Sequence, residues 1–275
     1  MTDARRIRIR FLNKAVAWGA AVVALAVIVV TLMTHVVAPR VLQHYEHFPA
    51  LETIPRLTLN SRGVPGDPVN VALVGTETEI GTALHDAGWV AADSLSRASE
   101  IAIAKSVLFN RPDATAPVSP LFLFGRRQDL AYEEQVGHSA RQRHHVRLWR
   151  TGAITYEGRP VWIGGATYDL KAGISHRGLH PTHHIAPDID QERDGLEEAL
   201  ARAGQAEATF RVTGIGIRVN AHNAEGDRYD TDGELRVVVI PPANVTHAVP
   251  SDEGVPFVVA LKDRVWAFGH RTVRP

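Results

Sequence analysis

Two short segments of this sequence hold most of the side chains that could do chemistry. The first, from Ser119 to Arg150, reads SPLFLFGRRQDLAYEEQVGHSARQRHHVRLWR. It carries Arg126, Arg127, Gln128 and Asp129, then Arg141, Arg143 and Arg147 around the adjacent pair His144 and His145. The second, PTHHIAPDIDQERD from Pro181 to Asp194, adds His183, His184, Asp188 and Asp190. One chemistry these residues suit is divalent-metal binding, which needs neutral imidazoles and carboxylates converging at about 2.0–2.2 Å. A site would take one histidine from each pair plus a carboxylate. Neighbours on a strand face opposite sides, so His144 and His145 cannot both serve it. Asp190 and Asp194 lie one helical turn apart and share a face. Asp188 has an ordinary role to set against ligation, as the cap of the helix that follows. The other chemistry is anion binding. Guanidinium forks from Arg126, Arg127, Arg141, Arg143 and Arg147 match phosphate and carboxylate groups. The competing reading of the same arginines is cross-strand ion pairing with Glu133, Glu134 and Asp169.

Several familiar chemistries are excluded. There is no HExxH and no Cys–His finger spacing, and no GxSxG elbow for a nucleophilic serine. GTETEIG has the wrong glycine spacing for a dinucleotide loop, and VTGIGIRVN opens a strand. The chain has no cysteine, which removes disulfides and thiolate ligands, yet it has 14 histidines in 275 residues. Lys plus Arg equals Asp plus Glu at 30 each, so no global basic field points to nucleic acid. A hydrophobic fraction of 45% suffices for a real core.

The elements that must position these residues follow from periodicity. Val69–Val74 is an apolar run between Pro68 and Gly75 and reads as a buried strand. Thr76 and Glu79 form a capping box for a helix burying Ile80, Ala83, Leu84 and Ala87 and closing at Gly88. A second helix is expected across Ser94–Leu108. Strands are expected at Leu121–Phe124, Leu130–Val136 and Gln142–Arg150, with a turn or bulge over Gly125–Asp129. The last of these strands alternates, with His144, Val146 and Leu148 on one side and Arg141, Arg143, His145, Arg147 and Trp149 on the other. Val161–Leu170 is a strand whose Gly164 and Gly165 signal a bulge or a close approach. Asp188–Ala203 is a helix. Ala208–Ala221 and Glu234–Ile240 pair most simply as a hairpin, and Val255–Leu261 and Val265–Gly269 read as extended. The fold class is α+β, an antiparallel or mixed sheet with a few packed helices, over residues 69–275.

Ahead of it, Ala15–Ala38 contains no Asp, Glu, Lys or Arg. As a helix it would be about 36 Å long, enough to span a bilayer. Arg5, Arg6, Arg8, Arg10 and Lys14 precede it within a basic stretch over residues 1–14, and only Arg40 closely follows it. The positive-inside rule then puts the N-terminus in the cytoplasm and the domain outside, periplasmic in a bacterial cell. A cleaved signal would have an apolar region of only about 7–15 residues. Residues 39–68, with four prolines after Pro39, read as a linker.

The stretches GDPVNVALVGT, AGW, APVSPLFLFGRRQDLAYEEQVG, RQRHHVRLWRT, GRPVWIGGATYD and PTHHIAPDIDQERDGL together resemble the LssY C-terminal domain family. That family takes its name from a protein linked with a type I secretion locus. Its domains occur alone behind a membrane anchor, or fused to multispanning phosphatidic-acid-phosphatase-type or DedA-like domains. The resemblance implies an envelope-facing domain and marks Arg126, Arg127, Gln128, Asp129, Arg141, His144, His145, Arg147, His183, His184, Asp188 and Asp190 as its distinctive residues. The expectation is a single-pass inner-membrane protein held by Ala15–Ala38. Its outer domain binds an anionic ligand, such as a lipid headgroup, or a membrane or secretion partner. The alternative is a metal-dependent hydrolase of a phosphate-bearing envelope substrate.

Overall fold

The structure is a computed structural model. It describes residues 3–33, 51, 54–92, 121–136, 142–174, 181–243, 251–252, 261 and 264–266. The helices are α1 (Asp3–Leu32), α2 (Glu77–Asp86) and α3 (Ile189–Arg202). The strands before the long central hairpin are β1 (Leu57–Leu59), β2 (Pro65–Pro68), β3 (Val71–Val74), β4 (Val90–Ala91), β5 (Phe122–Leu123), β6 (Arg126–Arg127) and β7 (Leu130–Gln135). That hairpin is β8 (Arg143–Ile154) and β9 (Pro160–Ile174). Then come β10 (Pro181–Ile185), β11 (Ala208–Thr213), β12 (Arg218–His222), β13 (Arg228–Thr231), β14 (Glu234–Val239) and β15 (Ser251–Asp252).

Nine strands form one mixed sheet in the order β15-β11-β14-β3-β9-β8-β7-β4, with β10 also on β9. The α+β class expected from the sequence is the one found. β3 is buried on both faces, as its unbroken apolar run requires, and pairs parallel with β14 and antiparallel with β9. Leu73, Val146 and Leu148 pack on one face with Ile80 and Leu84 of α2 and Leu196 and Leu200 of α3. Ala72, Val74, Trp149 and Ile163 pack on the other face with Leu51, Ile54 and Leu123. That second face is roofed by a small sheet, β2-β1-β5-β6.

Local rules explain the best-defined elements. The Thr76 hydroxyl accepts from Glu79 N–H while the Glu79 carboxylate accepts from Thr76 N–H, the reciprocal cap read from the sequence. Gly88 ends that helix at φ +94°. The two central glycines of β9 mark close approaches. A Cβ on Gly164 would lie 2.0 Å from the Arg147 carbonyl oxygen, and one on Gly165 would lie 2.9 Å from that of Pro68.

Other expectations change. The strand expected over Ala208–Ala221 stops at Thr213, because Gly214 and Gly216 turn the chain beside Gly233. The residues after it form their own ribbon, β12 with β13, while β11 still pairs with β14. Arg126–Arg127, expected as a turn, is a short strand on β5. Leu261, Val265 and Trp266, expected as extended, are helical. The helix expected over Ser94–Leu108 lies outside the described residues. Among the described residues no helix is long and apolar enough to cross a membrane. The expected span over Ala15–Ala38 is thus seen only as the helical part that ends at Leu32, and residues 34–38 lie outside the description.

Candidate functional site

β8 separates the His144–His145 pair as its alternation demands. His145, Arg143 and Arg147 point to the face roofed by the small sheet and meet a column of buried polar groups from β7 and β9. Glu133 stands opposite His145 on one side and Thr167 on the other, and Asp169 stands opposite Arg143. All six are at most 6% exposed. Arg143 donates from Nη1 to Glu133 Oε2 at 2.5 Å and from Nε to Asp169 Oδ2 at 3.3 Å. Arg147 Nη1 lies 2.7 Å from His145 Nε2 and 3.5 Å from Asp67 Oδ2. A guanidinium can only donate, so His145 Nε2 accepts and the ring proton sits on Nδ1. Nδ1 lies 3.3 Å from Asp169 Oδ2 but at an angle that makes no hydrogen bond, so that contact is electrostatic. Burial lowers the His145 pKa, against the pull of Asp169 and with the help of Arg147 and Arg143. The imidazole is therefore neutral, and the column sets two guanidinium groups against Glu133, Asp169 and Asp67. An anion brought there would meet an excess of carboxylate.

On the opposite face His144 faces the helices. Its Nδ1 lies 2.7 Å from Oε2 of Glu192, which is 6% exposed in the first turn of α3. The ring is tilted against Tyr168 at 4.8 Å between centroids and Trp89 at 6.3 Å. Among the described residues its Nε2 has no hydrogen-bond partner. Burial alone would lower the His144 pKa, but the hydrogen bond and charge of Glu192, with Glu134, raise it. A second braced imidazole stands at the far end of β9. His184, opposite Lys171, has Nδ1 2.6 Å from Asp227 Oδ1, and Asp227 Oδ2 accepts from Ile185 N–H.

The remaining candidates for a metal are occupied otherwise. Asp188 caps α3 by accepting from Gln191 N–H. Asp190 accepts from the Thr231 hydroxyl at 2.6 Å and from Asp232 N–H at 2.7 Å, and lies 3.3 Å from Arg193. Its pKa is pushed up to about 6, by burial first, with Arg193 opposing and Asp232 adding to the rise. The expected sharing of a face by Asp190 and Asp194 appears as a common partner, since Arg193 bonds both. His183 lies on β10, and the structure describes its backbone only. Among the described residues no group of three or more His, Asp or Glu is placed to hold a metal ion. His144, His145 and His184 thus do not meet at one point there.

The arginines expected to form one anion-binding face are split. Arg143 and Arg147 are in the buried column. Arg126 sits at the sheet's edge, its guanidinium bonded to the Asp129 carboxylate and, from Nη2, to the Arg150 carbonyl at 2.5 Å. Asp129 Oδ2 accepts from Arg150 N–H, and Gln128 Oε1 accepts from Leu121 N–H. These contacts build the corner where β6 meets β8. Arg127 is exposed, and Arg141 lies outside the described residues. An open groove of about 440 Å³ runs along the corner, lined by Arg126, Arg150, Thr151, Asp129 and Glu77. Four residues that matter here were not singled out by the sequence: Glu192, Asp227, Asp67 and Arg150. Glu192 reads from sequence as a helix-dipole partner, and only its depth of burial under β8 reveals its hold on His144.

The fold and these groups define a class: a sheet-rich α+β domain with an ion-paired interior, two carboxylate-braced histidines and, at one edge, a groove lined by two arginines and two carboxylates. Its family follows from the sequence match. The LssY C-terminus family model matches residues 51–235, and the chain belongs to that family. Searches for similar curated proteins and for similar solved structures find no match.

Proposed function

We propose that this is a single-pass membrane protein, cytoplasmic at its N-terminus, whose domain lies outside the membrane and holds a phosphate-bearing or other anionic ligand in the edge groove. The observation that carries the reading is α1. From Ala15 on it has no charged residue, and its large apolar side chains from Val16 to Met33 are exposed on every side. A helix apolar all round buries itself in something other than water. The five cations ahead of it favour a cytoplasmic start. At the groove, Arg126 and Arg150 supply guanidinium donors, which suit a phosphate oxygen, while the Thr151 hydroxyl donates to the Val161 carbonyl. Alkaline carbonate extraction of membranes holding the full chain tests the anchor, which fails if the chain is released to the supernatant. Calorimetry of the full chain in detergent with glycerol phosphate tests the groove. Binding lost in Arg150→Gln supports it, and binding unchanged in that variant removes it. A secretion or membrane partner remains compatible with this placement.

One observation favours a hydrolase as the second reading. His144 is held at Nδ1 by a buried carboxylate with Nε2 left open, as metal-ligating and proton-transferring histidines are held. Turnover of phosphate esters by the full chain with added divalent metal, abolished in His144→Ala, would establish it. No turnover with any divalent metal would end it.

A further inference from the structure

Two hairpin tips stand together at the end of the large sheet where α2 begins. One is the Phe124–Gly125 turn between β5 and β6; the other is the turn between β8 and β9, from Ile154 to Gly158. Arg126 fastens the first hairpin to β8 through the Arg150 carbonyl, and Trp149 Nε1 donates back to the Arg126 carbonyl at 3.2 Å. Both tips carry large apolar side chains to the outside. Phe124 is 45% exposed, Ile154 64%, and Tyr156 fully. The cations beside them are exposed as well. Arg127 and Arg150 have no ion pair among the described residues, and the Arg126 guanidinium sits 6.0 Å above the Phe124 ring. Among the described residues the carboxylates at this end are Asp129, engaged by Arg126 and the Arg150 amide, Glu79 and Glu207, paired with Arg159, and Glu77 and Glu157.

Phe124 is held at φ +53° and Gly125 at φ +73°, the two left-handed positions of a two-residue hairpin turn. Asn, Asp or Gly fits the first of these with least strain, and a bulky aromatic fits it poorly. Packing accounts for the ring only in part, since nearly half its surface is open. Strain kept at an exposed aromatic points to a contact outside the domain.

Topology says which side the contact is on. β1 runs antiparallel to β5, with Leu59 opposite Phe122, so the Phe124 tip lies beside the start of β1. That start is where the chain arrives from α1, and Leu51 and Ile54 on the way in pack with Leu123 at the base of the same hairpin. The point where the chain enters the domain and the Phe124 tip therefore share one side.

We propose that this end of the domain rests on the anionic phospholipid surface of the membrane that holds α1. Phe124, Ile154 and Tyr156 enter the interface, and Arg127 and Arg150 meet headgroup phosphates. The inference rests on the anchor reading above and makes the lipid headgroup the source of the anion in the groove. Aromatic side chains favour the headgroup level, and basic side chains are drawn to anionic lipid within a Debye length. Because α1 already holds the domain at the surface, individually weak contacts suffice to orient it.

The absence of cysteine from the chain gives a clean test, because one introduced thiol takes one label. Full-length Phe124→Cys and Tyr156→Cys are labelled with an environment-sensitive fluorophore and reconstituted in phosphatidylcholine vesicles, with or without phosphatidylglycerol. Val219→Cys is the control. Val219 is 65% exposed on β12, whose ribbon bonds through Asp227 to His184 at the opposite end of β9. Blue-shifted emission and quenching by nitroxide-bearing lipid at 124 and 156, stronger with phosphatidylglycerol and absent at 219, is the expected result. Arg127→Gln with Arg150→Gln should remove the dependence on phosphatidylglycerol. Labels at 124 and 156 as open to water as that at 219, in a chain that floats with the vesicles and resists carbonate, overturn the inference and leave the anchor standing. A chain that does not float with vesicles overturns the anchor reading and this inference with it. Tyr156→Cys keeps Phe124 in place, so loss of the ring in Phe124→Cys does not decide the outcome alone.

Discussion

Replacing Arg143 by Met should unfold a large part of the domain's stability, and acid should return some of it. The side chain is 2% exposed and bridges Glu133 and Asp169, both 0% exposed. Met keeps much of the volume and removes the charge, leaving two carboxylates buried side by side. Removing one partner of a buried ion pair costs about 3–5 kcal/mol. A domain of this kind has only about 5–15 kcal/mol in hand. With a urea slope of about 1–3 kcal/mol per molar, the unfolding midpoint should fall by roughly 1–5 M. Trp89, Trp149 and Trp162 are buried and would report it by fluorescence. Burial without that partner should then favour the protonated form of the two carboxylates. The deficit is then greatest near neutral pH and shrinks as pH falls through the folded pKa toward the unfolded value. His145, whose pKa is lowered in part by Arg143, would take up a proton over the same range and act in the same direction. A loss below about 1 kcal/mol, or a deficit indifferent to pH, would refute the view that this guanidinium is consumed by carboxylates. It would return Arg143 to the set of groups open to a ligand.

Three further outcomes follow from the geometry. Gly164→Ala forces a Cβ to within 2.0 Å of the Arg147 carbonyl and should cost about 3 kcal/mol or more, whereas Gly152→Ala meets nothing within 4 Å and should stay within about 0.5 kcal/mol, both read by urea midpoint. Glu192→Gln should lower the His144 midpoint in an NMR titration. Because the folded His144 pKa is raised, its stabilising effect is complete below about pH 6.5 and lost as pH rises through the folded value; Glu192→Gln should flatten that slope, and an unmoved midpoint would break the pairing. Asp188→Ala should cost about 1 kcal/mol as a lost helix cap, and a change in metal content beside an unchanged midpoint would contradict that role.

Where the sequence spoke through local rules, the structure agrees with it. The Thr76–Glu79 cap, the end of α2 at Gly88 and the alternation along β8 depend on residues within a turn or two of each other. The cap on α3 at Asp188 is of the same kind. The glycines of β9 announced a close approach, though not to which backbone. What could not be read depends on partners far along the chain. Alternation placed Arg143 and His145 on one face, but nothing local told whether that face is wet or roofed by β1 and β5. The roof decides whether Arg143 and Arg147 join an anion site or a buried ion column. In the same way, Glu192 and Asp227 hold histidines that lie 48 and 43 positions away from them. The strand expected over Ala208–Ala221 runs too far because apolar residues still recur at every second position from Ile215 to Ala221, although they switch from even to odd positions across Gly214, where the backbone turns.

The place of β14 has a consequence for how the chain reaches its fold. β3 sits in the middle of the sheet, yet its parallel partner is among the last strands made: Val71 pairs with Arg236, some 165 positions later. At about 5–20 residues per second of synthesis, an apolar strand waits roughly 8–30 s with one edge open. Parallel pairing between such distant segments is slow to nucleate and exposed to wrong partners meanwhile. If the domain crosses a membrane as it is made, that wait is spent outside the cytoplasm, away from cytosolic chaperones. The family match ends at residue 235, within β14, so a fragment cut there would lose most of an interior strand and leave β3 with that edge open.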